Sequence, residues 1–125
     1  MRSMLIVASV VVLGAVSAFA MTNMMAGFYG NTVVVTGTSY KSHVHYRADH
    51  TFDVGGKLSG QTFNTKGTWN IDQKGQLCRK YDTAPPATPN PWCTPLTVAH
   101  VVGDTWSATG ADGSARKVTL AAGVK

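Results

Sequence analysis

The chain has 125 residues, with 11 Lys and Arg against 6 acidic residues, all of them aspartate, and two cysteines. That length holds one small domain with a single core and is too short for two. The basic residues never cluster beyond the pairs Arg79-Lys80 and Arg116-Lys117, so the charge stripe that nucleic-acid binders present is missing, and without glutamate any acid–base chemistry falls to aspartate and histidine.

At the N-terminus, Arg2 and an apolar run from Met4 to Val16 lead into Ser17-Ala18-Phe19-Ala20, the pattern of an export signal with an A-x-A cleavage site after Ala20. Cleavage makes the protein periplasmic or secreted, with a mature chain beginning at Met21. If the signal is retained, residues 4–28, which carry no charge, match the about 20 apolar residues needed to anchor a chain in the inner membrane. The expected division is a signal peptide over 1–20, an N-terminal extension over 21–30 and a β domain over 31–125.

Beyond the signal no helical period is evident. Short runs rich in Val, Thr, Tyr, Phe and Trp alternate with glycine and aspartate turns, which predicts antiparallel strands near 32–38, 41–47, 51–54, 61–71, 76–81, 94–102, 105–109 and 115–120. About eight short strands in one small domain point to an all-β fold, either an up-and-down barrel, slightly favoured because closure removes sheet edges, or a two-layer sandwich. Trp69, Trp106, Phe52, Tyr46 and Phe63 are the expected large core residues.

Cross-strand partners share a face, so registers can be tested by keeping apolar residues together. A turn of Ala48-Asp49-His50 pairs Tyr46 with Phe52 and Val44 with Val54, and puts His43, His45, Arg47, Thr51 and Asp53 on the opposite, solvent face. A turn of Ala111-Asp112-Gly113 likewise pairs Trp106 with Val118. The hairpin between them is ambiguous, since Ile71 opposite Leu77 and Trp69 opposite Cys78 require different loop lengths.

The stretch "SHVHYRADHTF" holds three of the four histidines. With His45 opposite Asp53 and His43 two residues away on the same face, two imidazoles and a carboxylate could form a three-ligand copper or zinc site with a position left open. The same geometry also describes a plain polar hairpin face, and His50 suits a turn because histidine tolerates a left-handed backbone. His100, alternating with Leu96, Val98 and Val102, is expected at the core or its rim.

Cys78 and Cys93 flank "RKYDTAPPATPNPW", a proline-rich loop unable to hold itself by regular hydrogen bonding, and a structural disulfide between them suits an oxidising compartment. C-x-x-C redox spacing, haem-attachment spacing and four-ligand zinc spacing are absent.

The run of "YRADHTF", "KGTWNIDQKGQLC", "PNPWC", "AHVVGDTW" and "DGSARKVTL" resembles a group of small exported β-rich proteins of Gram-negative bacteria with the pattern Y-x-A-D-G-T-F, G-T-W, L-C, P-x-C, H-x-x-G-D-x-W and D-G. The resemblance spans residues 44–120 and implies export, β structure and the Cys78–Cys93 bridge. The group carries no assigned activity, so no catalytic residues are implied. This chain departs from the pattern at His50, where the turn glycine would sit.

No G-x-S-x-G, H-E-x-x-H or phosphate-cradling loop is present, and "VGGKLSG" lacks the strand and helix a P-loop requires. The expectation is therefore a non-catalytic exported binding or interaction protein that takes a small apolar molecule or an envelope protein in its barrel mouth or loops, with no cofactor and no nucleic-acid partner. The alternatives are a periplasmic copper- or zinc-binding protein using His43, His45 and Asp53, and a membrane-anchored accessory subunit if the N-terminal segment is uncleaved.

Overall fold

Alternation of apolar and polar side chains, broken by turn residues with left-handed backbone at His50, Gly60, Gly75 and Gly113, sets the chain into successive antiparallel strands. A computed structural model describes residues 24–125. The expected signal peptide, its cleavage site and most of the charge-free run lie outside the described residues. A 3-10 turn, Ala26–Phe28, precedes strands β1 (Thr32–Gly37), β2 (Tyr40–Tyr46), β3 (Thr51–Leu58), β4 (Gln61–Ile71), β5 (Gln76–Tyr81), β6 (Trp92–Pro95), β7 (Thr105–Thr109) and β8 (Ala115–Ala121).

All eight strands belong to one antiparallel sheet, in the order β6-β5-β4-β3-β2-β1-β8-β7. Chain neighbours are sheet neighbours everywhere except between β6 and β7, and β8 returns to pair with β1. This is the order of an up-and-down barrel with one ladder absent. The sheet is a curled half-barrel with β6 and β7 at its two edges, and among the described residues no second layer forms the sandwich offered as the alternative.

The expected registers at two hairpins are present: Tyr46 opposes Phe52, Val44 opposes Val54 and His45 opposes Asp53, while Trp106 opposes Val118. In the ambiguous hairpin Ile71 opposes Leu77, so Trp69 opposes Arg79 and not Cys78. The strand expected over 94–102 stops at Pro95, because the chain must cross there from one sheet edge to the other. The crossing segment is instead fixed by backbone bonds between Gly103 N and the Leu120 carbonyl and between Leu120 N and the Asp104 carbonyl.

The core lies on the concave face. Trp69, Phe52, Tyr46, Val54, Leu77 and Leu120 are buried there, while Trp106 and Phe63, expected with them, are partly buried against the cluster. Met25 and Phe28, in the stretch read from sequence as an extension, are also core residues. Across β2, β3, β4 and β5 one row runs Tyr46, Phe52, Gly67, Tyr81. The rings of Phe52 and Tyr81 meet edge to face over the glycine, with centroids 5.3 Å apart.

A candidate ligand cavity

A second row runs Trp106, Val118, Val35, Ser42, Gly56 and Phe63. Ser42 and Gly56 in this row carry almost no side-chain volume, so the concavity is not filled above them. A cavity of about 670 Å³ opens there, floored by Val44, Phe52 and Val54 and flanked by Trp92 and Trp106 from the two edge strands. Eight-stranded barrels have an interior suited to one small ligand, and ligand sites commonly span about 300–1,000 Å³.

The rim comes from segments that are not strands. Pro85, Pro86 and Thr88 of the proline loop stand on one side. Two devices hold that loop: the Cys78–Cys93 disulfide, which joins paired positions of β5 and β6, and Asn90, whose side chain accepts from Tyr81 N and donates to the Tyr81 carbonyl as a strand partner would, both at 2.9 Å. On the other side His100 stacks on Trp106 with ring centroids 3.5 Å apart, and its Nδ1 donates to Asp104 Oδ2 at 3.4 Å. His100 is thus a rim residue, as its alternation predicts, although the Val98 and Val102 that alternate with it are exposed.

The charged side chains of this lining are Arg79, Arg116 and Asp112. Arg116 donates to Asp112 at 3.2 Å and lies 3.6 Å over the Tyr40 ring, so its charge is balanced. Arg79 has no carboxylate partner among the described residues. Its Nε donates to Tyr46 Oη at 2.7 Å, and its Nη1 faces Thr94 Oγ1 at 3.2 Å and the Trp92 carbonyl at 3.4 Å. Burial opposes the charge of Arg79, the hydrogen bond to the Tyr46 oxygen favours it, and a guanidinium stays protonated in either case. Burial also pushes the Tyr81 phenol well above its ordinary value, so Tyr81 remains a neutral hydroxyl. Ser42 Oγ on the same inner face is buried without a hydrogen-bond partner.

On the face expected to hold copper or zinc, His45 stands opposite Asp53 as its register predicts. His45 Nδ1 donates to Asp53 Oδ1 at 2.7 Å, its Nε2 faces the Lys125 carbonyl at 3.2 Å, and Arg47 also binds Asp53. Both ring nitrogens of His45 are therefore turned to oxygen acceptors. His43 borders a shallow groove over Gly55 and Gly56. His43, His45 and Asp53 do not converge to within 4.8 Å of one another; among the described residues Asp72, Cys78 and Cys93 do, and the two sulfurs there are spent in the disulfide. His50 stands apart, stacked on Trp69 at 4.0 Å.

Sequence reading missed Arg79, Ser42, Tyr40 and Tyr81. The signal was the alternation Leu77, Arg79, Tyr81, which puts a charge on the inner face once Ile71 is set against Leu77. With that register open, the inward arginine could not be seen. No protein-family model, no curated protein and no solved structure matches the chain.

Proposed function

We propose that this protein is a non-catalytic, exported binding protein that takes a small, largely apolar molecule into the concavity of its half-barrel. The observation that carries the reading is the aromatic-lined cavity of about 670 Å³, whose size suits a single small ligand. Export is supported by the A-x-A signal pattern and by the disulfide, which fits an oxidising compartment. Among the described residues no helix is long and apolar enough to cross a membrane.

Because Trp92 and Trp106 flank the cavity, its occupation should alter tryptophan emission. Titrating purified protein with dodecanol should give a saturable, one-to-one change accompanied by a negative heat-capacity change on binding. Val35→Phe, which adds volume over the Ser42 row, should abolish that response while far-ultraviolet circular dichroism stays unchanged. A response that never saturates, or that survives in folded Val35→Phe, would overturn the reading.

A further inference from the structure

The proposed cavity is apolar over most of its surface, yet one wall holds a cation without an anion. Arg79 reaches inward from β5, between Trp69 on β4 and Trp92 on β6. A guanidinium carries five N–H donors. Nε and Nη1 are bonded as described, all to uncharged oxygens, whereas Nη2 has no partner among the described residues, on a side chain that lines the cavity. The other charged groups lining it, Arg116 and Asp112, pair with each other. A positive charge taken out of water is costly unless an opposite charge or a full set of hydrogen bonds replaces the lost hydration. The guanidinium cannot escape that cost by losing its proton. The Tyr46 ring, whose centroid lies 5.9 Å from Arg79 Cζ, compensates weakly at that range.

A second, independent irregularity lies on the same concave face. Ser42 Oγ is buried without a partner on β2, in the row that leaves the concavity unfilled. An unmade hydrogen bond in such a place is itself destabilising. The molecule thus carries an apolar chamber, an inward cation with one free donor nitrogen and a spare buried hydroxyl.

We infer that the ligand is an amphipathic carboxylate, a fatty acid or comparable apolar acid, whose head group is bound by Nη2 of Arg79 while its tail lies over Val44, Phe52 and Val54. This rests on the binding reading above and adds the charge of the ligand. A carboxylate oxygen accepting from a guanidinium N–H makes a charge-assisted hydrogen bond stronger than one between neutral groups, and the Tyr81 hydroxyl, neutral and lining the same cavity, is available as a further donor. A cationic amphiphile is excluded from the same place by repulsion.

The test compares dodecanoate, dodecanol and dodecylamine, each below its micelle concentration, by tryptophan emission and calorimetry on the wild-type protein and on Arg79→Met, Arg79→Lys and Arg116→Met. In wild type, dodecanoate should bind about 10-fold or more tightly than dodecanol, the gain a charge-assisted bond provides, and dodecylamine least. Arg79→Met should erase that preference, so that acid and alcohol bind alike, Arg79→Lys should restore part of it, and Arg116→Met should preserve it. Equal affinity for acid and alcohol in wild type would overturn the anchor and leave the apolar cavity standing. Binding of neither would overturn both. A preference that survives Arg79→Met but not Arg116→Met would overturn Arg79 as the anchor, and if Arg79→Met fails to fold, the wild-type comparison decides alone.

Discussion

His50 occupies the left-handed region, with φ of 70°, in the turn between β2 and β3. The sequence signals that role, but not the rest: the ring stacks on Trp69, nineteen residues along the chain, and donates from Nδ1 to its carbonyl at 3.1 Å. No local pattern could reveal a partner on another strand. His50→Gly relieves a left-handed backbone cost of about 1–2 kcal/mol and loses a stacking contact of about 0.5–1.5 kcal/mol, so its stability should stay close to wild type. His50→Ala loses the contact without the relief and should be the less stable of the two by about 1 kcal/mol in urea unfolding; an alanine variant equal to the glycine variant would show that backbone strain is not the deciding factor. On the opposite face, burial raises the Asp53 carboxyl, but hydrogen bonds from His45 and Arg47 outweigh it and hold the group below its ordinary value. A carboxyl depressed in the folded state adds stability that is complete above its unfolded value of about 3.9 and is lost as pH falls through the folded one. Asp53→Asn should therefore flatten the acid limb below about pH 5 in a series of unfolding curves, and an acid limb identical to wild type would assign that loss to other carboxylates, such as Asp49 and Asp112, which their own turn hydrogen bonds also hold low.

Among the elements, the hairpins were legible because each has a turn signal and one register that keeps apolar residues on one face. Tyr46 opposite Phe52 could be derived that way, whereas Ile71 opposite Leu77 had a rival of equal local merit. For β6 the local signal misled: Leu96, Val98, His100 and Val102 alternate like a strand, but the chain leaves the sheet at Pro95 and exposes Val98, Val101 and Val102. Strand pairing needs a neighbour, and none stands at that edge. Where strands do meet closely, Gly67 is obligatory, since a Cβ there would lie 1.9 Å from the Lys80 carbonyl oxygen. Gly67→Ala should separate β4 from β5, disturb the Phe52–Tyr81 contact and cost about 3 kcal/mol by chemical denaturation; a cost under about 1 kcal/mol would mean the strands shift apart freely. The Cys78–Cys93 link closes a loop of 15 residues around the proline segment, worth on the order of 3 kcal/mol in the chain-entropy model. Reduction should lower the calorimetric midpoint by roughly 10 °C or more, and weaken ligand binding as Pro85 and Pro86 lose their hold on the rim; an unchanged midpoint would show that Asn90 suffices to place the loop.

At the scale of the whole molecule, the half-barrel closes its core with residues from outside the sheet. Met25 is fully buried and Phe28 is 5% exposed, with Phe28 against Tyr46 at 5.5 Å between centroids and at 6.4 Å from Trp106. These side chains belong to the same charge-free run that sequence reads as signal or anchor, and a side chain cannot sit at once in this core and in a bilayer. Met25 and Phe28 are therefore committed to the core, and cleavage after Ala20 would leave both in the mature chain. We expect protein recovered from the native envelope to begin at Met21. Removing residues 1–20 should leave the thermal midpoint of the domain unchanged, whereas removing residues 1–28 deletes two buried side chains worth about 1.5–3 kcal/mol each, a large share of the about 5–15 kcal/mol that stabilises a small domain. Calorimetry of the two truncations distinguishes the cases. A sharp loss of stability on removing residues 1–20 alone, or recovery of intact Met1 in the membrane fraction, would place the leader within the working protein and favour the anchored form; an unchanged midpoint after removal through Phe28 would mean that the sheet alone closes the core.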